Sequence, residues 1–476
     1  MKKLTDILKN TPVREVCGDT AAAIGGLVYD SRAVKPGDCF FAVPGTQSDG
    51  HDYIPMAVEK GAAAIVCERM PADAAEGVAY VLVGDSAGAM ADMAAAFYDY
   101  PSRELKLVGI TGTNGKTTTA TLLYDLVRAM GYKAGLISTV VYKIDGREVE
   151  ATHTTPDSIR LNAMMREMAD AGCAYCFMEC SSHAIVQERT RGLDFAGGIF
   201  SNITHDHLDY HKTFAEYIRA KKLFFDGLPK GAFALTNADD RNGRVMVQNT
   251  AAAVSAYSLR AMADFRCKIV EMHLDGMLLR IDGQELWVGL LGRFNAYNLL
   301  AVYGAAALLG LDRGEVLRVL SMLHAVSGRF EKIRAANGTT AIVDYAHTPD
   351  ALENVIQTIE EIRTPGQQLI VVCGCGGDRD RTKRPEMAAI AVKYATTAVF
   401  TSDNPRHESP EAILDDMVAG LEPGARYLRI ADRAEAIRTA VMLSRPGDII
   451  LVAGKGHETY QIVGDVKHPF DDREEI

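Results

Sequence analysis

A glycine-rich loop in the first third of the chain has the residue types needed to bind phosphate. Its members are Gly112, Thr113, Asn114, Gly115, Lys116, Thr117 and Thr118. An apolar run at 107–110 and helical apolar spacing at 119–130 predict a strand, the loop and a helix that Gly131 ends. Loop N–H groups and the positive helix end would form an anion site, where Lys116 reaches the terminal phosphates and the Thr117 hydroxyl binds Mg²⁺. One departure is Ile110, which stands where the common pattern has glycine. The alternative is a glycine-rich turn with a solvated lysine.

Two further polar segments are predicted at the ends of neighbouring elements. A buried strand at 174–178 delivers Glu179, Cys180 and Ser181 to its carboxyl end, where ligands bind in parallel α/β sheets. Glu179 is therefore a candidate second Mg²⁺ ligand. Thr155 and Pro156 predict the N-cap and first residue of a helix at 157–171. A terminus of this kind can also hold a carboxylate or phosphate.

The densest group of acids and imidazoles lies at 204–211. A zinc site is disfavoured because no cysteine joins the group, so one histidine completing a Mg²⁺ shell is the preferred interpretation. Gln187 and Arg189 stand two apart and would point the same way in an extended segment. Lys221 follows on a predicted helix, where a lysine is usually solvated surface.

Composition limits the classes of function. The chain has 476 residues, 48% of them hydrophobic and 24% charged, which indicates a soluble protein of about three domains. A net charge of −11 argues against general binding to nucleic acid or a membrane surface. No apolar leader and no run of 18 apolar residues occurs, so we expect a cytoplasmic protein. The nine cysteines, including the Cys173-x-x-Cys176 pair, are expected to be reduced core thiols and not a redox or zinc site.

Changes in composition at 98–102 and 325–331 predict three α/β domains at 1–99, 100–327 and 328–476. The first is small, the second is a P-loop NTPase-like parallel sheet, and residues 144–147 within it predict a hairpin. The third alternates strands and helices as a Rossmann-like domain. Its predicted strand ends carry polar loops at 344–347, 374–381, 403–406 and 454–458, which indicates a binding face.

Several motifs together resemble the Mur ligases of bacterial peptidoglycan synthesis. The matching segments lie, in order along the whole chain, at 111–117, 179–184, 206–211, 328–331 and 344–349. The resemblance implies an ATP-dependent amide ligase that phosphorylates the D-glutamyl carboxylate of UDP-N-acetylmuramoyl-L-alanyl-D-glutamate. The amine of meso-diaminopimelate then displaces phosphate. It also implies Mg²⁺, small-molecule substrates only, and a monomer.

The resemblance further implies roles for individual residues. The expected catalytic residues are Lys116, Glu179, His207 and Lys221, with Thr117, Glu179, His207 and a carbamylated Lys221 as metal ligands. ATP would contact the glycine-rich loop together with Asn298, Arg329, Asp344 and His347. The nucleotide-sugar peptide would contact Tyr29, Ser31, Thr46, Gln47, Ser48, Thr154, Thr155, Ser181, Gln187 and Arg189. Diaminopimelate would contact Arg379, Asp403, Asn404, Pro405, Arg406, Gly454 and Glu458.

Arg406 decides between the candidate third substrates. Its guanidinium supplies a fork of donors for the second carboxylate of diaminopimelate, whereas L-lysine carries only an ammonium there. Glu458 would pair with the distal ammonium. His153 stands where the family often has asparagine, so that contact is not expected. Alternatives are an L-lysine ligase, a folylpolyglutamate synthetase, a P-loop switch protein and a non-catalytic homologue.

Overall fold

The computed structural model describes residues 1–45, 48–204, 208–334 and 338–476. Three sheets follow one another along the chain, each with helices against it, so the predicted three-domain α/β fold class is confirmed. Within the described ranges, no helix is both long and apolar enough to cross a bilayer.

The N-terminal sheet has five strands in the order β2-β7-β6-β5-β4, with only the β2–β7 pair antiparallel. A two-stranded β1–β3 ribbon lies apart from it. The strands are β1 Lys2–Lys3, β2 Val13–Cys17, β3 Ala23–Ile24, β4 Leu27–Val28, β5 Cys39–Phe41, β6 Ala64–Cys67 and β7 Ala79–Val83. The helices are α1 Leu4–Ile7, α2 Ile54–Glu59 and α3 Ser86–Phe97, with 3₁₀ turns at Ser31–Ala33, Gly50–Tyr53 and Pro101–Glu104.

The central sheet has eleven strands in the order β11-β10-β9-β12-β8-β13-β14-β15-β16-β17-β18. Its strands are β8 Lys106–Thr111, β9 Ala134–Ile137, β10 Val141–Ile144, β11 Arg147–Glu150, β12 Tyr175–Glu179, β13 Gly197–Phe200, β14 Phe233–Asn237, β15 Ala253–Ser258, β16 Phe265–His273, β17 Gly276–Ile281 and β18 Gln284–Val288. Its helices are α4 Lys116–Ala129, α5 Ser158–Asp170, α6 Ser182–Val186, α7 Leu208–His211, α8 Phe214–Asp226, α9 Gly243–Met246, α10 Arg293–Leu308 and α11 Arg313–Leu320.

The order of the central strands decides which loops meet. Strand β8 lies between β12 and β13 and runs parallel to both, so their carboxyl ends share one edge. The predicted hairpin joins β10 to β11 through Asp145 and Gly146, whose φ values of 45° and 89° are those of a type I′ turn.

The C-terminal sheet has six strands in the order β19-β20-β24-β21-β22-β23, and only the β19–β20 pair is antiparallel. The strands are β19 Glu331–Arg334, β20 Thr340–Asp344, β21 Leu369–Cys373, β22 Thr397–Phe400, β23 Tyr427–Arg429 and β24 Ile449–Ala453, followed by a β25 Tyr460–Val463 and β26 Val466–Pro469 hairpin. The helices are α12 Pro349–Ile362, α13 Lys383–Tyr394, α14 Pro410–Val418, α15 Arg433–Leu443 and α16 Asp472–Glu475. Parallel pairing gathers the four predicted polar loops at one edge.

Two local predictions are wrong. The N-cap of α5 is Asp157, whose carboxylate accepts from the Arg160 N–H, because the Thr155 hydroxyl instead donates to the Glu179 carbonyl at 2.7 Å. Gln187 is the C-cap of α6 and the segment is not extended, although Arg189 still contacts Gln187 through its guanidinium. Tertiary contacts override the local preference in both cases.

All nine cysteines are free thiols, and eight of them are buried. Burial raises the pKa of the Cys173 thiol, which keeps it protonated. No group of three or more possible metal-ligating side chains occurs in the part of the chain that is described. Eight of the nine are core thiols, as expected, whereas Cys17 is partly exposed.

Candidate active site

The glycine-rich loop joins strand β8 to helix α4, as predicted. Gly112 and Gly115 have φ values of 152° and 86°, which disfavour other residues. A Cβ on Gly112 would overlap the Ser201 hydroxyl, and one on Gly115 would overlap the Asn298 amide. Both glycines are therefore required by the loop conformation and by close approach of neighbouring side chains.

The missing glycine at position 110 has a structural explanation. Ile110 is a buried residue of β8, and the neighbouring Gly109 lies in the packed core beneath the loop. A Cβ on Gly109 would lie 2.5 Å from Phe224 Cζ and 2.9 Å from Cys180 Sγ. Gly109 thus lets helix α8 approach the strand.

Strand β13 supports the loop through two residues that the sequence analysis did not single out. Ser201 Oγ donates to the Asn114 carbonyl at 2.6 Å, and the Asn202 amide oxygen accepts from the Asn114 N–H at 3.0 Å. Lys116 Nζ lies 2.8 Å from the Thr113 carbonyl. The sequence feature that could have indicated these contacts is a polar Ser-Asn pair directly after a buried strand.

A buried pair of oxygen-bearing side chains lies beside the loop. Thr117 Oγ1 donates to Glu179 Oε1 at 2.8 Å, and the Glu179 side chain is fully buried. The N–H and hydroxyl of Thr139 also donate to this carboxylate, at 2.7 and 3.2 Å. Because Mg²⁺ prefers carboxylate and hydroxyl oxygens, the residues present fit the expected ion.

The C-terminal domain closes the other side of the site. Arg329 Nη2 donates to Thr117 Oγ1 at 3.2 Å, and its guanidinium carbon lies 4.5 Å from the centre of the Tyr345 ring. The Asp344 carboxylate accepts the N–H groups of Phe330 and Ala346 at 2.6 and 2.8 Å. Burial raises the pKa of Asp344 to about 6, against the opposing effect of Arg329 and these N–H groups.

Asp350 links the two domains and was not predicted. Its Oδ2 atom accepts from Asn114 Nδ2 at 3.0 Å and from Thr204 Oγ1 at 3.3 Å. Burial raises the pKa of this carboxyl group. An acidic residue in the first turn of α12 is an ordinary helix feature, so the sequence carried no distinct signal for this contact.

These side chains surround a cavity of about 490 Å³ between the central and C-terminal domains. The expected residues that line it are Thr113, Asn114, Gly115, Lys116, Thr117, Thr118, Thr154, Glu179, Ser181, Lys221, Asn298, Arg329, Asp344 and His347. Its remaining lining includes Asp239 and Tyr297, which share a 2.8 Å hydrogen bond. The site expected for ATP is thus assembled from residues more than 200 positions apart.

Lys221 is buried and not solvated surface. Only 1% of it is exposed, its Nζ donates to the Gly112 carbonyl at 2.7 Å, and it lies 4.6 Å from the centre of the Tyr217 ring. Helix α8 therefore directs this lysine to the base of the phosphate loop. His207, Thr46 and Gln47 lie outside the described residues.

The residues expected to hold the nucleotide-sugar peptide are only partly brought together. Thr154 and Ser181 line the cavity, and Arg189 Nη1 donates to the Thr155 carbonyl at 2.6 Å. Burial raises the pKa of Tyr29 in the N-terminal domain, and the negative charge of Asp157 adds to this shift. Ser31 and Ser48 do not line the cavity.

The residues expected to bind the amino acid form a second cluster, at the strand ends of the C-terminal sheet. Asn404 Nδ2 donates to Glu458 Oε2 at 2.8 Å, and Arg406 Nη1 donates to the Gly377 carbonyl at 2.9 Å. A Cβ on Gly454 would lie 2.5 Å from Asp403 Oδ2. Pro405 belongs to the same loop. Burial lowers the pKa of Arg406, and the positive charge of the nearby Arg379 lowers it further.

Tyr345 connects the two sites. Its ring contacts Arg329 in the cavity. Burial raises the pKa of the Tyr345 hydroxyl, and the carboxylates of Glu458 and Asp403 raise it further. His457 lies against the same ring, with 5.0 Å between centroids. Burial and the cations around it lower the pKa of His457 to about 3, so its ring is neutral at pH 7.

The fold and the site define a three-domain protein in which a glycine-rich loop faces a second α/β domain across a cavity of about 490 Å³. Family models for the Mur ligase family catalytic domain, the Mur ligase middle domain and the Mur ligase glutamate ligase domain match residues 23–98, 110–306 and 328–456. The chain belongs to the Mur ligase family, as its motifs indicated.

Curated relatives match over nearly the full length. A protein of Phocaeicola vulgatus is 56% identical, over 99% of this chain and 98% of its own, and one of Bacteroides fragilis is 55% identical with the same coverage. Both are named UDP-N-acetylmuramoyl-L-alanyl-D-glutamate--2,6-diaminopimelate ligase. A solved structure of a ligase with this name has a TM-score of 0.71 and 32% identity, covering 100% of this chain and 98% of that one. The prediction of a ligase is confirmed.

Proposed function

We propose that the protein is an ATP-dependent amide ligase that adds meso-diaminopimelate to the D-glutamyl carboxylate of UDP-N-acetylmuramoyl-L-alanyl-D-glutamate. The observation that carries this proposal is the placement of two sites on one C-terminal sheet. Arg329 and Asp344 face the phosphate loop, while Asn404, Arg406 and Glu458 lie at neighbouring strand ends. The names of the full-length relatives support the same substrates.

The first chemical step is phosphoryl transfer. A D-glutamyl carboxylate oxygen attacks the γ-phosphorus of ATP, the bond to the β–γ bridging oxygen breaks, and ADP leaves. Backbone N–H groups at 112–118 and the Lys116 ammonium stabilise the phosphate charge, and Arg329 lies next to Thr117 to do the same. Thr117 and Glu179 would hold Mg²⁺, which neutralises charge on the phosphates.

The second step is aminolysis. The neutral amine of diaminopimelate attacks the acyl carbon, phosphate leaves from the tetrahedral adduct, and the nitrogen loses a proton. The substrate peptide would be oriented by Thr154, Thr155 and Ser181, near the carboxyl end of strand β12. The N-terminal domain, at about residues 1–99, would hold the nucleotide sugar through Tyr29, Ser31, Gln47 and their neighbours.

Lys221 is proposed to act as a carbamate. Its neutral amine would add to carbon dioxide and lose one proton, which replaces a cation by an anionic oxygen ligand in the cavity that Glu179 also lines. Its position supports this role, because Lys221 is buried and its Nζ atom lies 2.7 Å from the Gly112 carbonyl at the base of the glycine-rich loop. Carbon-13 NMR of protein equilibrated with labelled bicarbonate would give a carbamate signal that is lost in Lys221→Gln.

The deciding experiment measures phosphate release and product mass with ATP, Mg²⁺ and UDP-N-acetylmuramoyl-L-alanyl-D-glutamate. Three reactions are compared, with meso-diaminopimelate, with L-lysine and with no amino acid. Turnover only with meso-diaminopimelate, and a product of the corresponding mass, supports the proposal. Turnover with L-lysine would refute the interpretation of Arg406, and inactivity with both would refute the proposed substrates.

A further inference from the structure

Lys455 is a fully buried cation beside the proposed amino-acid site. It follows strand β24 between Gly454 and Gly456, and none of its surface is exposed. Both glycines have positive φ values, 118° and 54°, so the chain turns sharply there and directs the lysine inward. Lys455 has no role in the proposed reaction.

The Lys455 ammonium contacts residues expected to bind the amino acid. Its Nζ donates to Asn404 Oδ1 at 3.0 Å and to Glu458 Oε2 at 3.1 Å. It also lies 4.0 Å from Asp403 Oδ1 and 5.7 Å from the centre of the Tyr460 ring. One buried cation therefore joins two carboxylates and an amide.

These bonds determine how Asn404 and Glu458 are oriented. Asn404 Oδ1 accepts from Lys455 and from the Ile462 N–H at 2.9 Å, which leaves the amide nitrogen to donate to Glu458 Oε2. Both bonds to Glu458 end on Oε2. In the described chain no protein donor is recorded for Oε1, so this oxygen is the one that can accept an ammonium of the substrate.

The charges in the cluster depend on Lys455 as well. Burial and Asp403 raise the pKa of Glu458, while Lys455 and Asn404 oppose that shift. Removing the lysine charge would leave two carboxylates close together with less compensation, and would make the site one unit more negative. A more negative site disfavours a substrate that brings a second carboxylate.

We propose that Lys455 is a positioning residue that holds Glu458 and Asn404 in their binding orientation and favours a dicarboxylic diamine over a monocarboxylic one. This inference rests on the proposed function. Lys455 acts through its two partners, so its effect should appear in the affinity for the amino acid and in the preference between amino acids, and not in the affinity for ATP.

The test compares the native protein with Lys455→Met, Glu458→Gln and the double variant. For each, kcat and KM are measured with meso-diaminopimelate, L-lysine and ATP, together with the thermal midpoint and ADP affinity. Lys455→Met should raise the KM for meso-diaminopimelate by about tenfold, the effect of one charge-assisted hydrogen bond. The KM for ATP should stay within about twofold, and the preference for meso-diaminopimelate over L-lysine should fall.

The double variant isolates the positioning role. Because Lys455 is inferred to act through Glu458, adding Lys455→Met to Glu458→Gln should cost much less than it costs alone. If the single Lys455 variant does not fold, the double variant, which removes both charges of the pair, is compared with Glu458→Gln, and a further rise of about tenfold in the KM for meso-diaminopimelate would overturn the inference. Additive effects, or an equal rise in the KM for ATP, would overturn the inference.

The two proposals fail in distinguishable ways. A native protein that turns over meso-diaminopimelate while Lys455→Met keeps the same KM and the same preference overturns only the role of Lys455. A correctly folded native protein that binds ADP but uses no diamino acid overturns the proposed function and this inference together.

Discussion

Replacing Glu179 by glutamine is expected to abolish most activity while preserving the fold. Glu179 Oε1 accepts from Thr117 Oγ1 and from the Thr139 N–H, and among the described residues Oε2 accepts from the Thr139 hydroxyl alone. A glutamine can place its carbonyl oxygen at Oε1 and its NH₂ at Oε2, where the hydroxyl can rotate to accept. The change therefore removes one negative charge and no buried hydrogen bond.

The expected size of the effect follows from that difference. Loss of a charged group that stabilises phosphoryl transfer lowers kcat by about 10² to 10³, or about 3 to 4 kcal/mol of transition-state stabilisation. The free energy of unfolding should change by only about 1 kcal/mol, because the hydrogen bonds are retained. Raising the Mg²⁺ concentration should recover part of the lost rate if Glu179 is a ligand.

The assay is phosphate release over a Mg²⁺ titration, with thermal denaturation in parallel. Glu167→Gln is the matched control, since this glutamate on α5 is half exposed and pairs with Arg147 at the surface. Activity of Glu179→Gln within a few-fold of the native rate at every Mg²⁺ concentration would refute the assignment. Unfolding of the variant would refute the hydrogen-bond argument.

Three further predictions concern other parts of the site. The kcat/KM for ATP should fall as the pH drops through about 6, because a protonated Asp344 no longer attracts the Arg329 guanidinium. Asp344→Asn should be less active and should show a flatter pH profile. Arg406→Lys should lower kcat/KM for meso-diaminopimelate by about 10 to 100-fold in steady-state assays, since an ammonium cannot form the bidentate contact. Gly109→Ala should destabilise the protein by at least about 1 kcal/mol in denaturant titrations, because its methyl group would collide with Phe224.

Each prediction has a result that would contradict it. An unchanged acidic limb in Asp344→Asn would assign the pH dependence to another group. Equal losses for meso-diaminopimelate and L-lysine in Arg406→Lys would remove the specificity argument. A Gly109→Ala protein of native stability would show that helix α8 can shift away from the strand at little cost.

Much of the local structure could be predicted from the sequence. The strand and the helix predicted on either side of the glycine-rich loop form as β8 and α4, and the predicted 144–147 hairpin forms between β10 and β11. These features depend on apolar periodicity, Pro and Gly positions and turn chemistry within a few residues. Contacts between residues far apart in the sequence could not be predicted in this way. The Thr155 hydroxyl does not cap helix α5, because it donates to the carbonyl of Glu179, 24 residues away.

The sequence by itself determined the glycine-rich loop between a strand and a helix, the order of strands and helices and the likeness to the Mur ligases. Only the tertiary structure decided that Lys221 lies buried under the loop, that Asp350 contacts Asn114, and that Lys455 orients Glu458. The physical reason is that residue type and spacing specify what a segment can do. The order of strands in the sheets decides which strand ends lie side by side and which charged side chains are buried together.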